Sequence, residues 1–558
     1  MLNWLDWSML IGSLVAITLY GVMNLRKKTD SRTYLMGEKE LPWWVIGFSV
    51  MSTQASAITF LSTPGQAFSD GMRFLQFYLG IPLAMIFICV VLLPRFSRWN
   101  VQTAYEFLEQ RFDLRVRTLT ASLFLLLRGL SSSITLIAPG IILSTLFGWP
   151  MTLTILGLGG FVLIYTLIGG SEAVSKTQVQ QMSIMLLGLL LANVLIFRSL
   201  PNDVGIGEIF TIAGNEGKMK VLDTKWNINE RYNIWSGIIA GFFLFLAYFG
   251  TDQSQVQRYL SGKSLRESQL GLLFNGLLKV PMQFFVLFTG LMVYIFFMYE
   301  KPPVFFNPNV ENQVYEQSDK QYIEQVRQKQ GQLHDSRLAL LSGTLSKEKA
   351  AMVRMKSDSL TELRKSAIKW SADHGIATRS KDEDYVFMHF VLHYFPHGVI
   401  GLLLAMIFCA AMSSMASEIN ALATASLVDI YRRSVAPDRN EIHYLRVARW
   451  LTLGWGLLII AMAIVATPFD NLIQAVNILG SLFYGSILGI VLTAIFLKSV
   501  QANHVLVAAM ISEALVLYCF KFTEISFLWY NVFGCLCVLS VSWILSKLWF
   551  IAPKIQAQ

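Results

Sequence analysis

Ser413 and Ser414 stand side by side in AAMSSMASEIN, residues 410–420, at the end of an otherwise apolar run from Val399 to Met412. A hydroxyl inside a stretch long enough to cross a bilayer costs free energy unless it finds a partner. Two adjacent hydroxyls among small neighbours, which let a second backbone come close, are hard oxygen ligands of the kind a small dehydrated cation takes. The chemistry they point to is sodium binding. The same residues could instead pack helix on helix and bond back to their own carbonyls. Ser49 to Phe60, SVMSTQASAITF, is a second such stretch. It is weak in helix propensity, and unwinding it at mid-membrane would free carbonyls for an ion and N–H groups for a solute. An unbroken, tightly packed helix is the alternative.

Arg128 is the third feature, in the apolar LFLLLRGLSSSITLIAPG. A guanidinium there must face the bundle interior, a water-filled cavity or an anion. A solute carboxylate fits its planar fork, while a helix C-terminus or the membrane interface would satisfy it structurally. Phe74 and Gln76 would add a wall and a polar contact to the same cavity.

The elements that must hold these residues are transmembrane helices. With 54% hydrophobic and 15% charged residues over 558 positions, the chain is too apolar for a soluble globule. Apolar windows of about 20 residues recur from Leu5 to Phe550, and we count roughly thirteen. The first, residues 1–25, lacks a basic n-region and a small-residue cleavage site, and reads as a retained helix. The net charge of +9 is dispersed over short loops, around Arg26–Arg32, Arg95–Arg117, Arg258–Arg266 and Arg432–Arg449. That pattern is membrane topology, not a nucleic-acid patch, and it places those loops and the C-terminus in the cytoplasm and the N-terminus outside.

One long polar segment, residues 301–384, interrupts the spans and is expected on the outer face. Its Lys, Glu, Gln and Arg content predicts helical pieces without a self-sufficient core, a solvated insertion where a periplasmic or extracellular partner could also dock. Beside it His389, His393 and His397 recur every fourth residue, a metal-ligand spacing that Pro396 breaks before the third. Gly262-Lys263-Ser264 resembles the end of a phosphate loop, but Gln257 occupies the position of the upstream glycine. The five cysteines all fall in apolar spans with no C-x-x-C pair, so no disulfide framework or zinc site is expected. No nucleophile elbow, His/Asp pair or filter repeat points to an enzyme or a channel. A transporter-like sensor would need a fused cytoplasmic domain, for which the residues after Lys547 are too few.

Five ordered segments carry a resemblance: SVMSTQASAITFLSTPG, TAYEFLEQRF, GGSEAVSKTQVQQ, GTDQSQVQRYLSGKS and AAMSSMASEINALATASLVDIY. Together they resemble the sodium/solute symporter family, which includes sugar, proline, iodide and monocarboxylate carriers, with residues 301–384 outside the similarity. The resemblance implies an all-α, LeuT-type fold of two inverted five-helix repeats, at residues 43–200 and at 232–300 plus 385–498, with accessory C-terminal helices over 499–558. It implies a sodium site from the carbonyls of Ser52, Ala55 and Ala410 and the hydroxyls of Ser413 and Ser414. Some members have a second sodium site with an aspartate where Gln178 stands here and a serine where Ala416 stands. One coupled sodium is therefore expected, and Glu418 is expected to turn away from Ser414. By resemblance to bacterial sialic acid symporters, Ser56 and Thr59 would touch the solute. The acidic sugar contact of hexose carriers falls on Tyr78, which weakens a neutral-sugar reading, while Lys279 matches a lysine common in sugar carriers. The expected function is sodium-coupled import of an organic anion such as sialic acid or a monocarboxylate, through a bacterial inner membrane. A neutral sugar or polyol is the alternative.

Overall fold

The computed structural model describes residues 2–23, 30–37, 39–317, 320–341, 346–376, 382–465 and 472–548. Among these, ten helices are long and apolar enough to cross a membrane. The stretch Ala57–Trp99 turns at Gly71 (φ 71°), separating α3 (Ala57–Asp70) from α4 (80–99). α5 is Leu114–Phe147. α6 (Met151–Ser199) reverses at Gly170 (φ 59°, ψ −168°). The reversal is required because Tyr165 and Thr177, about 18 Å apart along a straight helix, share a hydrogen bond. A shorter apolar helix, α7 (Gly241–Thr251), continues past Asp252 as α8 (Gln253–Leu260). Counted this way the spans number thirteen, as the hydropathy pattern predicts.

Two helices are broken in mid-bundle. α2 (Trp43–Gln54) and α3 are separated by Ala55 and Ser56, both in extended or intermediate backbone. The hydroxyl-rich sequence explains this: Thr53 Oγ1 donates to the Ser49 carbonyl oxygen (2.8 Å), competing with the helical ladder as such side chains do. The second break is at Asp252 (φ −77°, ψ 120°), whose side chain caps α8 by accepting from the Ser254 N–H. α9 (Leu265–Tyr299) then crosses back against α2 and α3. At the centre stands α14 (Val399–Ala425), almost wholly buried, packed on α2, α3, α5 and α6. α15 (Glu441–Val465), α16 (Leu472–Phe496), α17 (Ala502–Phe522) and α18 (Tyr530–Leu548) complete the bundle.

α1 (Trp4–Met23) is held to the start of α14 by one carboxylate. Asp6, fully buried, accepts from the N–H groups of Gly398 (2.6 Å) and Gly401 (3.3 Å) and bonds His397 Nδ1 (2.7 Å). A Cβ at Gly401 would lie 2.1 Å from the Asp6 carbonyl oxygen, so only glycine allows this approach. Asp6→Ala strands those donors and is expected to destabilise the protein by about 1–3 kcal/mol, read as a lower melting temperature in detergent.

The insertion folds as α10 (Pro308–Gln317), α11 (Lys320–Leu341) and α12 (Lys347–Asp373), around a small apolar cluster that includes Val314, Ile323 and Ala367. So small a core cannot hold it alone. Arg337 Nη2 joins it to the bundle by donating to the Phe297 carbonyl oxygen at the end of α9 (2.7 Å), and within the insertion Asp382 accepts from Arg364 Nη2 (2.5 Å) and the N–H groups of Phe306 and Asn307. The segment 382–385 lies backbone to backbone on α3, where a Cβ at Gly65 would meet the Glu383 carbonyl oxygen at 1.9 Å. α13 (Val386–Tyr394) ends before Pro396; His389 and His393 stack on it, while His397 lies beyond the break on Asp6.

Candidate functional site

The break in α2/α3 frees the carbonyls a cation needs. In an unbroken helix the Ser56 N–H would bond the Ser52 carbonyl oxygen, but it turns to Gln54 (3.1 Å), and the Thr59 N–H turns to Ser56 (3.0 Å) instead of Ala55. Ser52 and Ala55 are thereby released from the ladder. Across from them, Ser413 Oγ lies 2.6 Å from Ser52 Oγ, and Ser414 Oγ donates to the Ala410 carbonyl oxygen (2.9 Å). All five sodium positions, Ser52, Ala55, Ala410, Ser413 and Ser414, are buried at the contact of α2/α3 with α14. Hard oxygens from two helices, two of them carbonyls without helical partners, suit a small cation.

One turn away, Gln178 of α6 fills the neighbouring space. Its amide nitrogen donates to Ser417 Oγ (2.7 Å), Thr53 Oγ1 (3.0 Å) and Ser413 Oγ (3.0 Å) and lies 3.3 Å from the Ser413 carbonyl oxygen. Its Oε1 accepts from Ser49 Oγ. Four oxygens from two helices thus surround a nitrogen that carries two protons and no charge.

Beside this contact is a cavity of about 110 Å³, room for several water molecules. Ser56, Thr59, Tyr78, Arg128 and Ser414 line it, as do Gln54, Phe77, Tyr248, Glu418, Asn477 and Tyr484. Ser56 caps α3 without a side-chain bond, leaving the positive end of that helix beside the cavity.

Arg128 faces the cavity but is not a free cation. Its Nε (2.9 Å) and Nη2 (2.5 Å) grip Asp252 Oδ2, Nη2 also donates to the Tyr484 hydroxyl (2.9 Å), and Nη1 reaches Glu418 Oε1 (3.1 Å). Tyr248 covers its face at 5.3 Å. Asp252 is saturated, since Oδ1 takes the Ser254 N–H and hydroxyl and Oδ2 also accepts from Tyr484 (2.7 Å).

Three expected solute contacts lie elsewhere. Gln76 does not line the cavity: it donates to the Tyr232 carbonyl oxygen (3.3 Å) and accepts from the Asp223 N–H (2.9 Å), tying down the loop before α7. Phe74 packs on Phe77, Tyr78 and Tyr232 behind the cavity wall. The 3₁₀ turn over Gly71–Leu79, with its three-residue period, brings Phe77 and Tyr78 to the cavity and turns Gln76 away, while Phe74 shares Phe77's face and stacks behind it. Lys279 is buried on α9 in line with Asn275 and Gln283, also outside the cavity lining. The expectation for Glu418 also fails: four residues past Ser414, it shares that residue's helix face and cavity. Asp252 and Tyr484 escaped sequence reasoning, although an aspartate between apolar helices in GTDQS was a legible signal.

The sequence pattern of the sodium:solute symporter family matches residues 34–333 and 364–512. This chain belongs to that family. The match enters the insertion from both sides, so the region outside the similarity is narrower than residues 301–384. Among similar proteins are the sodium/sialic acid symporters NanT of Aliivibrio fischeri, 26% identical over 97% of this chain and 92% of that one, and SiaT of Proteus mirabilis, 26% identical over 99% and 97%. The sodium/glucose cotransporter of Vibrio parahaemolyticus is 24% identical over 90% and 82%. A solved structure of a sodium-coupled sialic acid symporter, substrate-bound and outward-open, superposes with a TM-score of 0.77 at 23% identity over 99% of both chains. The fold of this symporter is thus the LeuT-type arrangement, with helices broken at α2/α3 and at α7/α8.

Proposed function

We propose that this symporter imports a small carboxylate-bearing organic solute together with one sodium ion. The observation that carries the reading is the pair of released carbonyls at Ser52 and Ala55 opposite Ser413 and Ser414, beside a polar cavity. Sodium would join α2/α3 to α14 and so order Ser56 and Thr59 for the solute, which is how one ligand raises the affinity for another. The solute carboxylate would meet the N-terminus of α3 and the sodium charge, with Arg128 behind. Sialic acid and simple monocarboxylates are the first solutes to test, the former because two relatives are sialic acid symporters. Similarity to a glucose cotransporter supports a neutral sugar as the second reading.

The distribution of basic loops supports a topology with the insertion on the outer face, the N-terminus outside and the C-terminus inside, and we propose a bacterial inner membrane as its setting. One sodium with a monoanion moves no net charge, so the sodium gradient alone would drive entry; with a neutral or zwitterionic solute an inside-negative potential adds about 2.3 kcal/mol per 100 mV. In proteoliposomes with an inward sodium gradient, labelled sialic acid or lactate should accumulate, and potassium should not replace sodium. Accumulation without a sodium requirement would refute the reading.

Single-sodium coupling rests on Gln178, whose amide holds the oxygens a second ion would need. Gln178→Asp exchanges that amide for a carboxylate among Thr53, Ser413 and Ser417 and is expected to admit a second sodium. The Hill coefficient for sodium should rise from about 1 towards 2 in uptake assays. A wild-type coefficient already near 2 would overturn the stoichiometry.

A further inference from the structure

We infer that Glu418 is the subsite for a positively charged nitrogen on the solute. The inference deepens the proposed function and rests on it, since it adds a second charge to a carboxylate-bearing solute. Glu418 is 4% exposed and lines the cavity. Its Oε1 accepts one bond from Arg128 Nη1 (3.1 Å), while Oε2 has no hydrogen-bond partner among the described residues. The Ser132 hydroxyl lies within reach of this carboxylate and donates its hydrogen bond to the Arg128 carbonyl oxygen (2.7 Å). A buried carboxylate oxygen left bare is costly, and a donor arriving with the solute removes that cost.

The charge count points the same way. Arg128 and Glu418 are the charged residues among those described as lining the cavity, and Arg128 is already gripped through Nε and Nη2 by Asp252. One guanidinium therefore faces two carboxylates. Sodium at Ser413 and Ser414 balances the excess negative charge, and a plain anion would restore it. A zwitterion leaves the balance intact: its carboxylate lies at the sodium and the N-terminus of α3, and its ammonium donates to Glu418 Oε2. Asp252 offers no such place, because both its oxygens are occupied. Thr59, Ser131 and Tyr248 line the space between these two poles.

The test uses the full chain in detergent, with the sodium-dependent rise in melting temperature as the binding readout. Glycine, β-alanine, 4-aminobutyrate and 5-aminovalerate are each compared with acetate, propionate, butyrate and valerate, with sialic acid and lactate alongside. At least one amino acid should bind about tenfold or more tighter than its amine-free partner, the worth of one buried charge-assisted bond. Glu418→Gln should bring that ratio to within about twofold, and Glu418→Asp should keep part of it. The inference falls if no amine-bearing acid is preferred, or if Glu418→Gln keeps the preference. It falls also if Glu418→Gln lowers the sodium bound per protein, since the carboxylate would then hold a metal ion. Sodium-dependent binding of lactate or sialic acid with no amine preference would sink this inference and leave the proposed function standing.

Discussion

Arg128→Ala is expected to lower the melting temperature of the purified carrier by roughly 5 °C or more, in addition to stopping uptake. The variant removes the one cation between Asp252 and Glu418 and leaves two buried carboxylates facing each other, together with a Tyr484 hydroxyl that has lost its acceptor role. Breaking a buried ion pair by deleting one partner costs about 3–5 kcal/mol, because the survivors are charged and desolvated. Neutralising the partners should restore stability: Arg128→Met combined with Asp252→Asn and Glu418→Gln should melt within a few degrees of the parent while uptake stays absent. A different pattern would refute this account. If Arg128→Ala melts normally and loses only carboxylate uptake, the guanidinium is a solute ligand held loosely, not the keystone of a triad.

Ser414→Ala should raise the sodium concentration for half-maximal uptake by roughly 10–100-fold, with the expression level and melting temperature of the sodium-free protein little changed. The hydroxyl donates to the carbonyl oxygens of Ala410 (2.9 Å) and Ala411 (3.4 Å) on its own helix, so among the described residues its removal strands no group on another helix. Its loss is felt when a dehydrated ion asks for that oxygen. Ser413→Ala should weaken sodium at least as much and also destabilise the resting protein, because Ser413 Oγ accepts from the Gln178 amide and meets Ser52 Oγ. The two variants therefore separate an ion ligand from a ligand that is also part of the helix contact. Uptake measured against sodium concentration, with melting curves in its absence, reads both. Equal sodium curves for Ser414→Ala and the parent would remove this residue from the ion site.

Much of the architecture was legible because a bilayer is a harsh solvent for polar groups. Every apolar window appears as a helix or a kinked pair of helices, and the weak-helix stretch around Ser52 breaks between Gln54 and Ala57. The count of spans, the weak helix around Ser52 and the paired serines needed only composition, spacing and propensity, whereas their place in a repeat came from the family resemblance. The side of a helix that a residue faces was harder. Gln76 lies near the cavity in sequence, but the local change to a three-residue period turns it away while Phe77 and Tyr78 reach it, and Phe74 is screened behind Phe77. Lys279 matched a family position and still packs away from the cavity, against a different face of the bundle.

By itself the sequence determined that this chain spans a membrane many times and that hydroxyls and small residues gather on two of its helices. Those properties are local: each follows from residue type and short-range spacing, which the chain carries wherever it goes. Only the tertiary structure decided what Arg128 does. Its partners Asp252 and Glu418 lie 124 and 290 residues away, on α8's cap and on α14, and no periodicity links them. Packing brings the three together, and in doing so makes an arginine that the sequence left open between solute ligand and structural cation the shared counter-ion of two carboxylates. The excess negative charge that remains at Glu418 is a property of that meeting of helices, since charge balance in a low-dielectric interior is set by which side chains are neighbours in space.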